Sequence, residues 1–386
     1  MQVKEKYMLS DSALELDSAR RLLEVIQGML SQGLTSLKAS CTTEGKLDAE
    51  LLDDYQFSSY QIAFSVAEIA AAKSFLHYCK ESTENSHETA FSLLFACDTL
   101  DNVMGRLKKI APDVGIELES LTTLENSAEY RNVLKHNRPS VISALGSLII
   151  NEKFDRLRSG LDDEKELVRD TFYRFSDEIV APLAEKIHRE DLDIPEQIIE
   201  AASELGCFGT CIPEKFGGLQ PDNKSDSLGM IVVTEELSRG SLGAAGSLIT
   251  RPEIAARALL AGGTENQQQF WLPKLASGKT LCAISITEPN TGSDVAAVSL
   301  KATPAEGGWI LNGSKTWCTF AGRSELIVTL ARTNPDISLG HKGLSMFLIE
   351  KPAFSGHKFE HQQAAGRLPQ RPTNSFRLFA LKRPSL

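Results

Sequence analysis

The chain has 386 residues, 42% of them apolar, with 41 basic against 51 acidic side chains and a formal charge of −10. That composition is globular and excludes a disordered or collagen-like chain. The net negative charge argues against whole-chain attraction to nucleic acid or to an anionic membrane.

No apolar run reaches the roughly 18 residues that a transmembrane helix needs. Residues 1–10 lack the apolar core of a secretory leader and are not an Arg-rich transit peptide. Seven cysteines, at positions 41, 79, 97, 207, 211, 282 and 318, form no CxxC pair. An odd, scattered set of thiols points to a reducing, cytoplasmic compartment. Cys207 and Cys211 are four apart but no second ligand pair follows, so they read as packed or surface thiols rather than zinc ligands.

In chain order, residues 12–150 read as helices. Ala19, Leu22, Ile26, Met29, Leu30 and Leu37 recur at the spacing of one helix face. A second helix is expected over 49–78, with Ile62, Val66, Ile69 and Phe75 as its stripe and Ala70, Ala71 and Ala72 allowing close packing. A third is expected over 88–110, stopped by Pro112, and a fourth over 141–149. The charged stretch 151–165 reads as a linker and helix start, with Asp163 and Glu166 as a capping pair. Val168, Phe172, Phe175 and Ile179 mark the next helix, which Pro182 should bend or end. Another follows Pro195, carries Ile198, Ile199, Ala202 and Leu205, and is closed by Gly206. Helices are again expected over 227–238, 252–260 and 265–272.

After Gly278 the period shortens. Strands are expected over 280–287, 298–303, 309–316, 325–332 and 344–350, with residues 305–308 as a hairpin turn. Helices followed by strands argue for segregated domains, an α+β chain, rather than alternating βαβ units. No GxGxxG follows a strand, and Gly313-Ser314-Lys315 lacks the upstream glycine of a phosphate-binding loop. His357 and His361 lie four apart in a segment without helical period and do not read as a metal pair.

One constellation carries chemistry. A strand ending in Ala283-Ile284-Ser285-Ile286-Thr287 turns through Glu288-Pro289-Asn290-Thr291-Gly292 and presents Ser293-Asp294. Trp317-Cys318-Thr319 follows the later hairpin. Strand-end N–H groups, hydroxyls and a close-approach glycine suit a polyanion. An indole wall with the Thr319 hydroxyl suits a planar heteroaromatic ring, and together they fit a dinucleotide cofactor. A turn plus a core tryptophan is the structural alternative.

From about residue 163 to about residue 368 the chain resembles the acyl-CoA dehydrogenase superfamily of flavoproteins. The resemblance rests on Pro213-Glu214-Lys215-Phe216-Gly217-Gly218, Glu235-Glu236-Leu237-Ser238-Arg239 and Gly263-Thr264-Glu265-Asn266-Gln267. It continues through Trp271-Leu272-Pro273-Lys274-Leu275-Ala276-Ser277-Gly278, the turn 287–294 and Asn312-Gly313-Ser314-Lys315-Thr316-Trp317-Cys318-Thr319. It implies a helical domain over 161–279, a β-domain over 280–386 and a helical extension over 1–160. On this resemblance the family's C-terminal four-helix bundle is not expected within these residues.

The resemblance further implies FAD as cofactor, with Ile284, Ile286 and Thr287 lining the flavin. Trp317 would flank the isoalloxazine and Thr319 would bond near its N5/O4 edge. Ser293 would meet the CoA moiety or a phosphate, and Thr250 and Arg251 would face the acyl group. The implied reaction is α,β-dehydrogenation of an acyl-CoA with hydride passing to flavin N5. An electron-transferring flavoprotein would accept the electrons, and a homo-oligomer is expected.

The family's catalytic Glu sits in the bundle, so no residue here is assigned as the base and activity of this chain is in question. A non-catalytic flavin or acyl-CoA binding protein, and a flavin monooxygenase on the same fold, are the alternatives. The stretch Gly366-Arg367-Leu368 fits the family, whereas Pro369-Gln370-Arg371-Pro372 breaks the expected strand. The N-terminal extension, with Ser247-Leu248-Ile249-Thr250-Arg251-Pro252, resembles the methylsuccinyl-CoA dehydrogenase-like subgroup. Residues 1–150 read either as a degenerate copy of the family's bundle or as an unrelated scaffold. Arg251 is either a surface residue at a helix start or an inward partner for the second carboxylate of a dicarboxylic acyl-CoA.

Overall fold

The computed structural model describes residues 12–81, 86–152, 160–306, 308–351 and 375–379. The chain divides into two compact units, Met1–Ser159 and Gly160–Leu386. His357, His361 and residues 366–372 lie outside the described residues.

The first unit is helical. Helix α1 (Ser12–Ser40) leads through a two-residue ladder, β1 (Thr42–Thr43) with β2 (Lys46–Leu47), to α2 (Ala49–Asp54), α3 (Gln56–Glu81) and α4 (Ser86–Val114). Helices α5 (Leu118–Glu125), α6 (Ala128–Val133) and α7 (Pro139–Glu152) complete it. Ala19, Leu22, Ile26, Leu30 and Leu37 are buried as their spacing predicts, with Met29 at the edge of that core.

Three expectations are corrected here. The helix over 49–78 is two helices. The Asp48 carboxylate accepts from the N–H groups of Glu50 and Leu51, and Tyr55 leaves helical geometry at φ −107, ψ 19. An N-cap and a non-helical residue make a boundary that apolar spacing does not reveal. The buried face of α3 is Ile62, Ile69, Ala72 and Leu76 with Ser58 and Ser65, whereas Val66 is exposed. Helix α4 runs past Pro112 to Val114. A proline in the last turn forfeits one backbone bond only. The stop comes from Gly115 at φ +66, where the Ile116 N–H reaches back to the Ala111 carbonyl at 3.1 Å, a Schellman closure.

The second unit begins with α8 (Asp163–Phe175), capped by Asp162, whose carboxylate accepts from the Lys165 N–H at 2.9 Å. The cap therefore lies one residue before the expected Asp163. Pro182 does not end the helix. A π-turn at Ser176–Val180 precedes α9 (Ala181–Glu190), which has the proline in its first turn. The Ala181 N–H reaches back to the Ser176 carbonyl, so the π-turn lies immediately before the proline, which has no N–H to give to the helix. Helix α10 (Glu196–Glu204) ends at Gly206, φ +72. Helices α11 (Ser227–Ser241), α12 (Thr250–Gly262) and α13 (Glu265–Ala276) follow, the last opened by a reciprocal Thr264–Gln267 capping box.

The sheet contains β3 (Cys282–Ser285), β4 (Lys301–Ala305), β5 (Gly308–Ser314), β6 (Leu326–Arg332), β7 (Leu344–Glu350) and β8 (Ser375–Phe379). Strand order is β3-β6-β4-β5-β8, with β7 also paired to β6. The expected hairpin is present, with Ala305 opposite Gly308. Strand β8, which pairs with β5, was not expected from the sequence.

Along one edge of β6, β3 pairs in parallel with residues 326–329, and β4 pairs with Arg332 alone. The chain between them, 286–300, must leave the sheet and return within three residues of β6. That detour carries the turn after Thr287. Alternation along the strands divides the core. Cys282, Leu326 and Val328 join the helical core with Phe172, Leu237 and Leu272, while Ala283, Ile327 and Ala331 pack with Leu300 and Leu311.

Candidate functional site

The two segments singled out in the sequence meet. The Thr316 N–H donates to the Thr287 carbonyl at 2.9 Å. Beside this bond Lys315 is buried, its Nζ donating to the Ile286 carbonyl at 2.6 Å and to Glu288 Oε1 at 3.0 Å. Glu288, also buried, accepts from the Leu300 N–H on Oε1 and from the Ser299 N–H and hydroxyl on Oε2, at 2.6–2.8 Å. Gly313 makes this approach possible, because a Cβ there would stand 2.9 Å from the Leu300 Cα.

Burial alone would raise the Glu288 carboxyl, but the Ser299 hydroxyl, the two N–H donors and Lys315 hold it below the ordinary carboxylate value. Burial lowers Lys315, and Glu288 opposes that shift. Both Glu288 oxygens are hydrogen-bonded, and the Lys315 ammonium reaches two acceptors.

After Thr316 the chain makes a tight turn with two non-glycine residues in the left-handed region, Trp317 at φ 57 and Phe320 at φ 67. A tryptophan there is strained by roughly 1–2 kcal/mol. Strain of this kind gathers at functional positions. Its indole is 64% exposed. Thr319 is exposed beside it, its N–H donating to the Trp317 carbonyl at 3.2 Å. Cys318 points inward, is hydrogen-bonded to the Ser285 side chain, and is pushed by burial up to about 11.

Of the other residues singled out, Ile286 and Thr287 are half-buried at the strand end. Ile284 packs, half-buried, against the core shared with the helices. Ser293 and Asp294 are exposed, and the backbone N–H groups of Gly292, Ser293 and Asp294 have no hydrogen-bond partner among the described residues. A Cβ at Gly292 would meet only the Thr287 Cγ2 at 3.7 Å, so the protein's own packing leaves room there. Thr250 is exposed, its hydroxyl donating to the Ser247 carbonyl at 2.9 Å.

Arg251 is half-buried. It donates to the Ser247 carbonyl, and its guanidinium stands over the Phe320 ring, 5.0 Å from the centroid. Burial lowers its pKa, against the opposing influence of Cys282 and Cys318. Cys207 and Cys211 are buried free thiols.

Sequence reasoning missed Glu288 as an anchor, Lys315 as its partner, and Arg332. The Arg332 guanidinium is buried and donates to the carbonyls of Val298 at 2.9 Å and Ala296 at 2.6 Å. It thereby grips the return limb of the loop that carries Ser293. Spacing does not pair these residues, since Lys315 lies 27 positions from Glu288 and the carbonyls of Val298 and Ala296 lie 34 and 36 positions from Arg332. A separate polar cleft of ≈ 380 Å³, lined by Glu196, Glu200, Ser203, Lys279, Arg323 and Glu325, contains neither Trp317 nor Thr287.

A planar ring with an anionic tail fits these features. The exposed indole offers a flat apolar wall, and the unbonded N–H groups of Gly292, Ser293 and Asp294 leave donors available to an anion. Among the described residues no cluster of His, Cys, Asp or Glu could hold a metal ion, and no helix is long and apolar enough to cross a membrane.

Comparison with known proteins follows the same division. The profile of the acyl-CoA dehydrogenase N-terminal domain matches residues 162–279, and that of the acyl-CoA dehydrogenase middle domain matches residues 283–378. (2S)-methylsuccinyl-CoA dehydrogenase of Cereibacter sphaeroides is 35% identical over 349 residues, 87% of this chain and 62% of that protein. This match extends well into Met1–Ser159. Glutaryl-CoA dehydrogenase of Desulfococcus multivorans is 34% identical over 206 residues, 53% of this chain and 52% of that protein. A solved glutaryl-coenzyme A dehydrogenase in complex with glutaryl-CoA is 32% identical, covering 52% of this chain and 50% of its own, at a TM-score of 0.47. The chain thus spans between half and two thirds of the length of these relatives. The two domain profiles, matching in order across more than half of its residues, identify the chain as a member of the acyl-CoA dehydrogenase family.

Proposed function

We propose that the chain is the flavin-holding part of an acyl-CoA dehydrogenase. FAD would lie against the Trp317 indole and extend toward the turn after Pro289. The observation that carries this is the Thr316–Thr287 hydrogen bond of 2.9 Å. It brings the exposed indole and the strand end together at one place. Bound FAD would supply the redox chemistry, accepting a hydride from the β-carbon of the acyl group.

The chain's own residues would bind and orient. Ile286 and Thr287 would line the ring edge, and Ile284 would support it from the core. The Thr319 hydroxyl would donate to a polar edge of the ring. Ser293, with the free N–H groups of its loop, would hold a phosphate of the cofactor or of CoA. No residue of this chain is assigned as the base that removes the α-proton.

The acyl group in this reading is short, branched or dicarboxylic. Methylsuccinyl-CoA and glutaryl-CoA, named for two relatives, are both dicarboxylic acyl-CoA esters. Arg251 supports that class, because a half-buried guanidinium without a carboxylate partner among the described residues suits a second carboxylate. Thr250 would flank it. In the same reading electrons pass to an electron-transferring flavoprotein, and the chain works as a homo-oligomer.

The test is spectroscopic. Purified protein should be yellow and hold about one FAD per site, and bleaching by a dicarboxylic acyl-CoA would rule out a purely binding role. Protein that takes up no added FAD overturns the reading. Bound FAD that no acyl-CoA bleaches leaves a binding protein instead. Oxygen consumption by the reduced protein would point to monooxygenase chemistry.

A further inference from the structure

We propose that the buried Glu288–Lys315 pair, together with Ser299 and Arg332, is a positioning device that sets the spacing between the strand end and the Trp317 turn and holds the loop 289–298 in its ligand-presenting shape. This rests on the flavin reading above.

The pair is costly as a mere stabiliser. Moving a carboxylate and an ammonium out of water costs several kcal/mol per ion, and an apolar pair of similar volume often serves stability as well. The bonding pattern shows what the charges do. The Glu288 carboxylate takes four donors, from Lys315, the Leu300 N–H, the Ser299 N–H and the Ser299 hydroxyl. That fills the lone-pair sites of an ionised carboxylate. Two of the donors are N–H groups eleven and twelve residues further along the chain, so one side chain closes the neck of the loop.

Lys315 ties this neck to the other segment. Its ammonium bridges the Ile286 carbonyl and the Glu288 carboxylate, and the next residue, Thr316, bonds to Thr287. One charge pair therefore fixes three pieces of chain: strand end, loop neck and the approach to Trp317. Arg332 completes the frame. Its backbone N–H donates to Leu300, and its guanidinium holds the Val298 and Ala296 carbonyls. The carbonyls of the return limb are thus turned toward the guanidinium, while the N–H groups of Gly292, Ser293 and Asp294 stay free among the described residues.

Two variants separate positioning from folding. Ser299→Ala removes one hydroxyl donor from Glu288 at an exposed position. Glu288→Gln combined with Lys315→Met removes both charges and leaves no buried ion unpaired. Three quantities are measured: the FAD dissociation constant by titration of FAD-free protein, the visible circular dichroism of bound flavin, and the melting temperature without FAD.

Ser299→Ala should weaken FAD roughly three- to tenfold, the scale of the net contribution of one ordinary hydrogen bond, and Ser299→Thr should restore binding. The double variant should melt closer to the parent than either single variant, yet bind FAD at least about tenfold more weakly with an altered dichroism band. Parent-like affinity and dichroism in a folded double variant, or in Ser299→Ala, would overturn the proposal. So would affinity falling only in step with melting temperature while the dichroism stays unchanged. A parent protein that takes up no FAD defeats the flavin reading itself, a result distinct from any variant's behaviour.

Discussion

The guanidinium of Arg251 stands over the ring of Phe320, 5.0 Å from its centroid, so the first turn of α12 touches the turn that carries Trp317. The cation reaches the edge of the candidate site without a carboxylate partner among the described residues. Arg251→Met keeps the aliphatic stem and removes the charge. It should weaken binding of a dicarboxylic acyl-CoA, read from the perturbed spectrum of bound flavin, by about tenfold or more, since a charge-assisted hydrogen bond is worth roughly 1.5–3 kcal/mol. A monocarboxylic acyl-CoA should lose far less. Equal loss for both substrates would assign Arg251 to packing against Phe320 alone.

Trp317→Gly should change stability and binding in opposite directions. Glycine accepts φ 57 without the strain a tryptophan bears, and the exposed indole gives up little packing. The FAD-free protein should gain about 1 kcal/mol in urea unfolding, since left-handed backbone costs a non-glycine residue roughly that much. FAD should bind more weakly. A destabilised variant with unchanged FAD affinity would show the indole to be structural.

Gly217 and Gly218 are adjacent but needed for different reasons. Gly217 sits at φ +80 with open space around it, whereas a Cβ at Gly218 would overlap the Ile212 carbonyl oxygen. Gly217→Ala should therefore cost about 1 kcal/mol of backbone strain. Gly218→Ala should cost clearly more, about 3 kcal/mol, because backbone must move. Chemical denaturation of the two variants checks the order.

Alkaline pH should destabilise the second unit. Burial pushes the Cys211 and Cys282 thiols up to about 12, while an unfolded thiol ionises near about 8.5. The folded state thus holds protons that the unfolded chain releases. The stability these thiols contribute is whole below about pH 8.5 and is lost as pH rises toward the folded value, at up to about 1.4 kcal/mol per pH unit for each thiol. Melting temperatures should fall above about pH 9, and Cys282→Ala should flatten that fall. An unchanged slope in the variant would contradict the assignment.

Much of the frame was legible because local rules operate alone there. The hairpin at Ala305 and Gly308 and the strand Leu344–Glu350 follow from alternation and turn residues. Helix α3 was harder to read. It is apolar on two faces, with Phe57, Tyr60, Phe64 and Val66 exposed and Ile62, Ile69 and Leu76 buried. Periodicity detects an apolar face but does not choose between two. Pro112 misled because the cost of a proline depends on how many helical bonds remain after it, and here the helix was ending at Gly115 in any case.

By itself the sequence determined the helices-then-strands order of the second unit, the family, and the two segments singled out around Thr287 and Trp317, since each is written in contiguous residues. Only the tertiary structure decided how those segments are held. Glu288 meets Lys315 27 positions away, and Arg332 meets Ala296 36 positions away. It also decided that Trp317 takes a left-handed backbone, a conformation for which tryptophan has no local preference. Buried charges find their partners only when the sheet brings distant residues within about 3 Å, a distance no spacing along the chain encodes.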